Sequence, residues 1–142
     1  MGERVLLVDD EEEFLDIMSE RMRNRGMEVV TVSSAKEALG KIEKELFDAI
    51  ILDLMMPDMN GLETIKAIKA KKPELQVILL SGQATLEKGI EAMKLGALDV
   101  VEKPADMEIL VEKIKNAESK RAIIVDKQTQ ENVKEMIKRF GV

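Results

Sequence analysis

The stretch Ala49-Ile-Ile-Leu-Asp-Leu-Met-Met-Pro-Asp58 decides the fold. Four apolar residues lead into a single acid, Asp53, and the turn-forming Asp58-Met-Asn-Gly61 follows. A short apolar run bounded by turn residues is typical of a strand that is buried on both faces. In open α/β sheets, the carboxyl ends of such strands carry the reactive groups. The pattern therefore predicts that Asp53 lies in a crevice at the end of a central strand; the alternative is a loop aspartate that caps the next turn.

The composition fits one globular domain that contains no disulfide. The chain has 142 residues, of which 45% are hydrophobic and 35% charged, and it contains neither Cys nor His. Any metal must therefore be held by oxygen ligands, which favours Mg²⁺. Any phosphohistidine chemistry needs a histidine on another protein. No run approaches the roughly 18 apolar residues of a membrane span, no signal peptide is apparent, and the net charge is −6. We expect a cytoplasmic protein with no membrane and no direct nucleic-acid partner.

Apolar runs and stripes of helical period alternate along the chain. Predicted strands cover residues 4–8, 28–32, 49–53, 76–80 and 98–102, and predicted helices cover about 11–25, 61–71, 86–95 and a stretch starting near 106. A further helix, capped by Ser33 or Ser34, carries Ala38, Leu39, Ile42 and Leu46. Five strands alternating with five helices predict an α/β fold, a doubly wound parallel sheet with helices on both faces.

The C-terminal tail predicts one more helix. Val133, Met136, Ile137 and Phe140 fall at positions i, i+3, i+4 and i+7, and Gly141 follows them. This spacing places the four side chains on one helical face, here called the tail stripe. We expect a main domain at residues 1–121 and a C-terminal helical extension at 122–142. The extension either packs over the domain or forms a dimer or partner interface.

Polar residues follow four of the five predicted strands. Asp9 and Asp10 follow the first, Asp53 the third, Ser81 the fourth and Lys103 the fifth. Singly, each has a simpler explanation, such as helix capping, a turn or solvent exposure. Together they place three carboxylates, a hydroxyl and an ammonium at one end of the sheet. Clustered carboxylates raise each other's pKa unless a cation intervenes, which predicts a divalent ion. One carboxylate can then attack phosphorus, with Lys103 and Ser81 stabilising the phosphoryl charge.

Over about residues 4–120 the chain resembles the receiver domain of the response-regulator family of two-component signalling. The matching motifs are the acidic pair Asp9-Asp10, the phosphoacceptor Asp53 with the loop to Gly61, the pair Ser81-Gly82 and the pair Lys103-Pro104. The resemblance implies a flavodoxin-like strand order 2-1-3-4-5. The stretch Glu91-Ala-Met-Lys-Leu-Gly-Ala97 also resembles receivers of the nitrogen-regulatory type, which usually precede an ATPase and a DNA-binding domain. A stand-alone receiver and a fragment of a longer regulator both remain open.

The resemblance implies phosphorelay signal transduction. A sensor histidine kinase or phosphotransfer protein would phosphorylate Asp53 with Mg²⁺, and this would switch a downstream protein target or a missing output domain. The chain would be a phosphoacceptor signalling protein, not an enzyme, with intrinsic self-phosphorylation and autodephosphorylation chemistry. A homodimer is a further possibility. Asp10, Asp53 and the backbone carbonyl of Met55 would ligate the ion, with Asp9 acting through water.

The resemblance also assigns the remaining site residues. Lys103, followed by Pro104, would pair with the acyl phosphate, and Ser81, followed by Gly82, would hydrogen-bond to it. Met55 and Gln83 occupy positions that tune the phosphoryl lifetime. Val100 departs from the family, which usually has Tyr or Phe at this switch position.

Three rival interpretations remain. A phosphohydrolase with an aspartyl-phosphate intermediate would carry Asp-x-Asp after its first strand, whereas Asp9 and Asp10 are adjacent. A nucleotide-binding domain would carry a glycine-rich loop there, yet five acids occupy that place. A pseudo-receiver that acts only as a binding module is disfavoured by the complete set of acids, hydroxyl and lysine, and is kept open by Val100.

Overall fold

The computed structural model describes residues 2–82, 86–104 and 106–141, and for Leu86 the backbone alone. The strands are β1 (Arg4–Val8), β2 (Glu28–Val32), β3 (Ala49–Asp53), β4 (Gln76–Ser81) and β5 (Asp99–Glu102). The helices are α1 (Glu12–Arg23), α2 (Ala35–Lys44), α3 (Gly61–Lys71), α4 (Leu86–Lys94) and α5 (Met107–Phe140). All strand pairs are parallel, in the order β2-β1-β3-β4-β5. The predicted fold class and strand order are thus confirmed.

Strand β3 lies at the centre of the sheet, and its five residues are all buried. Ile50 and Leu52 face the apolar cluster that includes residues of α2 and α3. Ala49 and Ile51 face the opposite cluster, which includes residues of α1 and α5. Because successive side chains of a strand point to opposite faces, the continuous apolar run supplies both halves of the core.

Side chains just before three helices fix where those helices begin. The Ser34 hydroxyl accepts a hydrogen bond from the Glu37 N–H (3.1 Å), and Asn60 Oδ1 accepts one from the Glu63 N–H (2.9 Å). Asp106 Oδ1 accepts a bond from the backbone N–H of Glu108 (2.9 Å). These bonds satisfy backbone donors that have no partner within the helix, so the caps of α2, α3 and α5 are set by local sequence.

Residue Leu46 lies outside α2, in contrast to the expectation. The helix ends at Lys44, and Glu45 has an extended backbone with φ −132° and ψ 150°. Leu46 therefore leaves the helical period, and its side chain is 66% exposed. The start and end of α1 also lie one to two residues inside the predicted bounds.

The predicted C-terminal helix is present as the second half of α5, a single helix of 34 residues. Its buried residues are Leu110, Ile114 and Ala117. From residue 125 onwards every described residue is exposed. At 1.5 Å per residue, residues 122–140 cover about 28 Å of helix. The sequence from Met107 to Phe140 contains neither Gly nor Pro, so nothing local separates the two halves.

Among the residues that the structure describes, no helix has both the length and the apolar character that a membrane span requires.

Candidate functional site

The carboxyl end of the sheet brings the predicted site residues together. Asp9 follows β1, Asp53 ends β3, Ser81 ends β4 and Lys103 follows β5. Because β1 and β4 flank β3, Asp53 is central. An open cleft of about 390 Å³ lies over this end and is lined by Asp10, Glu11, Asp53, Met55, Gly82 and Lys103.

Three carboxylates converge in this cleft. One oxygen from each of Asp9, Asp10 and Asp53 lies within 4.8 Å of the others. Asp9 and Asp53 are 1% and 6% exposed, whereas Asp10 faces solvent. A cluster of oxygen ligands with one side open to water suits a hard divalent cation that keeps part of its hydration shell. The residues present therefore fit the predicted magnesium site.

Backbone hydrogen bonds orient the two buried acids. Asp9 Oδ1 accepts a bond from the Glu11 N–H at 2.9 Å. Asp53 Oδ1 accepts a longer bond from the Met55 N–H at 3.3 Å. Each acid therefore keeps its second oxygen for another partner, and for Asp9 that partner is Lys103.

Lys103 neutralises part of the acidic cluster. Its Nζ lies 2.7 Å from Asp9 Oδ2 and 3.9 Å from Asp53 Oδ2, and its side chain is 16% exposed. The sequence predicts this ammonium at the same end of the sheet as the three acids. Because no Arg or His is near the acids in the chain, it also predicts a divalent ion that neutralises them. The fold brings this lysine to Asp9 across 94 residues of sequence. One ammonium still faces three carboxyl groups, so room for a further cation remains.

Burial raises the pKa of the Asp53 carboxyl above its ordinary value. The neighbouring Asp9 carboxylate raises this pKa further, while Lys103 and the hydrogen bond from the Met55 N–H oppose the rise. The charged form of Asp53 is thus disfavoured in the absence of a bound cation. A cation that enters the cleft favours ionisation of Asp53.

Two residues that follow strands β4 and β5, Gly82 and Lys103, line the cleft. Ser81 is fully buried, and its carbonyl accepts a hydrogen bond from the Lys103 N–H at 2.7 Å. Gly82 is exposed and lines the cleft. The peptide bond between Lys103 and Pro104 is cis. The predicted residue Gln83 lies outside the described residues.

The loop after Asp53 is tied down at both ends. The Leu54 N–H donates to the Leu80 carbonyl (3.1 Å), and the Gly61 N–H donates to the Leu54 carbonyl (2.9 Å). A Cβ atom at Gly61 would lie 2.8 Å from Leu54 Cα. Only glycine fits this close approach. The loop leaves Met55 exposed at the mouth of the cleft.

Two contacts at the site were not predicted from the sequence. Asp58 accepts hydrogen bonds from the N–H groups of Ala35 and Lys36, so the loop after Asp53 also caps α2. The ring of Phe14 lies under the Lys103 ammonium, with Nζ 4.2 Å from the ring centroid. Sequence periodicity places Phe14 on the inner face of α1, but it gives no signal of the cation beside it.

Val100 packs into the core on the side of α3 and α4. It is half-buried against that apolar cluster. A Cβ atom at Gly89 of α4 would lie 3.9 Å from Val100 Cγ2. Val100 is not among the residues that line the cleft.

Comparison with known proteins gives consistent matches. The sequence profile of the response regulator receiver domain matches residues 5–115. The transcriptional regulatory protein ZraR of Escherichia coli K12 is 34% identical over 106 residues, which are 75% of this chain and 24% of ZraR. The response regulator SaeR of Staphylococcus aureus USA300 is 36% identical over 112 residues, or 79% of this chain and 49% of SaeR. The chain thus spans a quarter to a half of the lengths of these curated relatives.

A solved structure supports the same assignment. The beryllofluoride-activated NtrC4 receiver domain, described as a dimer, superposes with a TM-score of 0.79 at 35% identity. The superposition covers 83% of this chain and 98% of the NtrC4 chain.

Proposed function

The chain belongs to the response regulator receiver family, and from this premise we propose that it accepts a phosphoryl group on Asp53. The donor is a sensor histidine kinase or a phosphotransfer protein. The observation that carries the proposal is the position of Asp53. It is a buried carboxylate at the end of the central strand, with Asp9, Asp10 and Lys103 around it and an open cleft above it.

We propose Mg²⁺ as the cofactor. Asp10, Asp53 and the Met55 backbone carbonyl would hold the ion, and Asp9 would act through water. When bound, the ion supplies positive charge that offsets the charge of the carboxylates and of an incoming phosphoryl group. The three converging carboxyl groups support this assignment.

The transfer forms one bond and breaks one bond. An Asp53 carboxylate oxygen attacks phosphorus, the phosphorus–nitrogen bond of phosphohistidine breaks, and the imidazole leaves with the electron pair and takes up a proton. Lys103 stabilises the transferred group by its charge, and Ser81, followed by Gly82, donates a hydrogen bond to it. Hydrolysis then releases inorganic phosphate and restores the carboxylate. Met55 and Gln83 tune the rate of this reset.

The chain is a signalling protein with intrinsic self-phosphorylation and autodephosphorylation chemistry, not an enzyme that turns over an external substrate. Residues 1–121 form the receiver and residues 122–142 the helical extension. Phosphorylation switches a downstream protein target or an output domain, in the cytoplasm. Pairing of two copies is part of the proposal, supported by the dimeric NtrC4 receiver.

Intact mass after incubation with acetyl phosphate or phosphoramidate and Mg²⁺ tests the function. We expect a gain of one phosphoryl group that needs Mg²⁺ and is absent in Asp53→Asn. Asp58→Asn is the matched control, because it removes an acid from the same loop and leaves an amide oxygen that can accept one of the two hydrogen bonds from the start of α2. That variant should be phosphorylated. No gain in the unmodified chain would contradict the proposal and favour a phosphate-independent binding module.

A further inference from the structure

The Lys103 ammonium has an aromatic ring on one side and carboxylates on the other. Its Nζ lies 4.2 Å from the Phe14 ring centroid, 2.7 Å from Asp9 Oδ2 and 3.9 Å from Asp53 Oδ2. The lysine side chain is 16% exposed, so water is largely excluded from its surroundings. A cation over the face of an aromatic ring is attracted by the ring quadrupole, and more strongly where water is excluded.

The ring itself is held in place by the core. Phe14 lies in the first turn of α1, four residues after Asp10. It is half-buried and packs against the apolar cluster formed by residues of α1, α5 and the sheet. The first turn of α1 and the lysine after β5 thus meet across the carboxyl end of the sheet. The ring limits the directions in which the flexible lysine stem can extend.

We propose that Phe14 is a positioning residue that holds the Lys103 ammonium at the acidic cluster, within reach of a phosphoryl group on Asp53. This inference rests on the proposed phosphoacceptor function. Without the ring, the lysine stem has more accessible rotamers, and fewer of them place the charge beside Asp53. Leucine at position 14 keeps the apolar packing but removes the π face. A contact of this kind, lost in a mostly desolvated site, corresponds to a change of about 3- to 30-fold in rate.

The first test uses the metal-free protein and needs no phosphorylation. The ring current of Phe14 should shift the NMR signals of the Lys103 Cε protons upfield, with the signals assigned by their loss in Lys103→Met. We expect this upfield shift to disappear in Phe14→Leu and to remain in Phe14→Tyr. Unchanged Lys103 signals in Phe14→Leu would show that the ring does not hold the ammonium, and would overturn the proposal.

The second test is a double-mutant cycle on the rate of phosphorylation by phosphoramidate with Mg²⁺. Phe14→Leu should lower the rate about 3- to 30-fold, and Phe14→Tyr should restore it. In the Lys103→Met background, Phe14→Leu should have no further effect, because the ring acts through the lysine. A normal rate in Phe14→Leu, or an equal loss in both backgrounds, would overturn the proposal.

Phe47 provides the matched control. Its ring also faces a cation, with Arg4 Cζ 4.8 Å from the centroid, but at the opposite end of the sheet. Phe47→Leu should leave the phosphorylation rate unchanged; a matching loss there would assign the effect of Phe14→Leu to general packing and overturn the proposal. If the unmodified chain gains no phosphoryl group, the proposed function itself fails, whereas the ring-current shift still reports the Phe14 contact.

Discussion

In the metal-free site, the surroundings of Asp53 disfavour the charged form of its carboxyl group. Burial and the Asp9 carboxylate raise its pKa in the folded protein. The folded chain therefore binds the Asp53 proton more tightly than the unfolded chain does. The stability from this proton is present below the unfolded pKa and is lost as the pH rises through the folded pKa. Above the unfolded pKa, this raised pKa of Asp53 therefore lowers the free energy of unfolding.

Asp53→Asn should therefore raise the melting temperature of the metal-free protein at pH 7, by about a few degrees for each kcal/mol relieved. This difference in melting temperature should shrink as the pH falls through the folded pKa of Asp53, because Asp53 is then protonated in the unmodified chain. Mg²⁺ should stabilise the unmodified chain more than the variant. Thermal unfolding with EDTA and with Mg²⁺ measures both effects, and Asp58→Asn serves as the control. A lower melting temperature for metal-free Asp53→Asn would contradict this account.

The candidate site residues could be named from the sequence, because each follows a strand and parallel strands end on one edge of the sheet. The contacts that these side chains make with one another in the metal-free protein could not be predicted from the sequence. Lys103 lies closer to Asp9 than to Asp53, and Phe14 lies beside it. These contacts depend on which rotamer the flexible Lys103 side chain adopts among several charges and one ring. The spacing of hydrophobic residues gives no information about that rotamer.

Among the glycines that the structure describes, Gly61, at the end of the loop between β3 and α3, leaves the least space for an added methyl group. Gly61→Ala would place a methyl group 2.8 Å from Leu54 Cα and 2.9 Å from the Leu54 carbonyl oxygen. Backbone must move, so we expect a loss of about 1–3 kcal/mol in unfolding free energy and weaker Mg²⁺ binding, because the same loop carries Met55. Chemical denaturation and magnesium titration measure these effects.

Gly40→Ala is the matched control. Gly40 lies inside α2, and apart from its own helix backbone and chain neighbours no described atom lies within 4 Å of an added Cβ. Removing a helix-interior glycine should stabilise the protein by about 0.5–1 kcal/mol. Opposite signs for the two variants are expected; equal stability changes would show that the Leu54 contact does not require glycine.

We expect the conformational change on phosphorylation to involve α4 and the second half of α5 more strongly than in receivers that have an aromatic switch residue. Val100 cannot turn a ring inward, and it already packs on the α4 side of the sheet. Amide exchange in residues 86–95 and 133–140 should change when beryllofluoride and Mg²⁺ are added. Identical exchange with and without this phosphate mimic would reject the idea. Asp53→Asn should show no change.

Most helices and strands could be predicted from the spacing of hydrophobic residues and from capping residues. The predictions were wrong where the chain departs from a regular helical or strand spacing. Leu46 fits the α2 stripe, but the helix has already ended at Lys44. The apolar run at residues 123–125 is too short for its spacing to distinguish a strand from a helix. In the structure, α5 continues through it. The residue at which a helix ends depends on the balance between helix propagation and tertiary contacts. A short window of sequence does not contain those tertiary contacts.

At the scale of the whole molecule, α5 extends beyond the receiver body with an apolar face that no described residue covers. Val133, Met136, Ile137 and Phe140 of the tail stripe are all exposed. At 100° per residue, the tail stripe is rotated by about 120° from the buried face of Leu110, Ile114 and Ala117. It is therefore not a continuation of the surface that packs on the body. We expect it to contact a second copy of the chain, as proposed above for the homodimer.

Met136→Lys tests this pairing in the full chain. Each copy would lose one buried apolar side chain, worth about 1.5 kcal/mol or more, so the dimer should weaken on the order of 100-fold. Light scattering over a range of concentrations, with and without beryllofluoride and Mg²⁺, measures the change. Gln128→Lys adds the same charge on the other side of the helix and should leave the dimer intact. A monomer under all conditions, or equal weakening by both variants, would reject self-association through the tail stripe and leave this surface to a different protein.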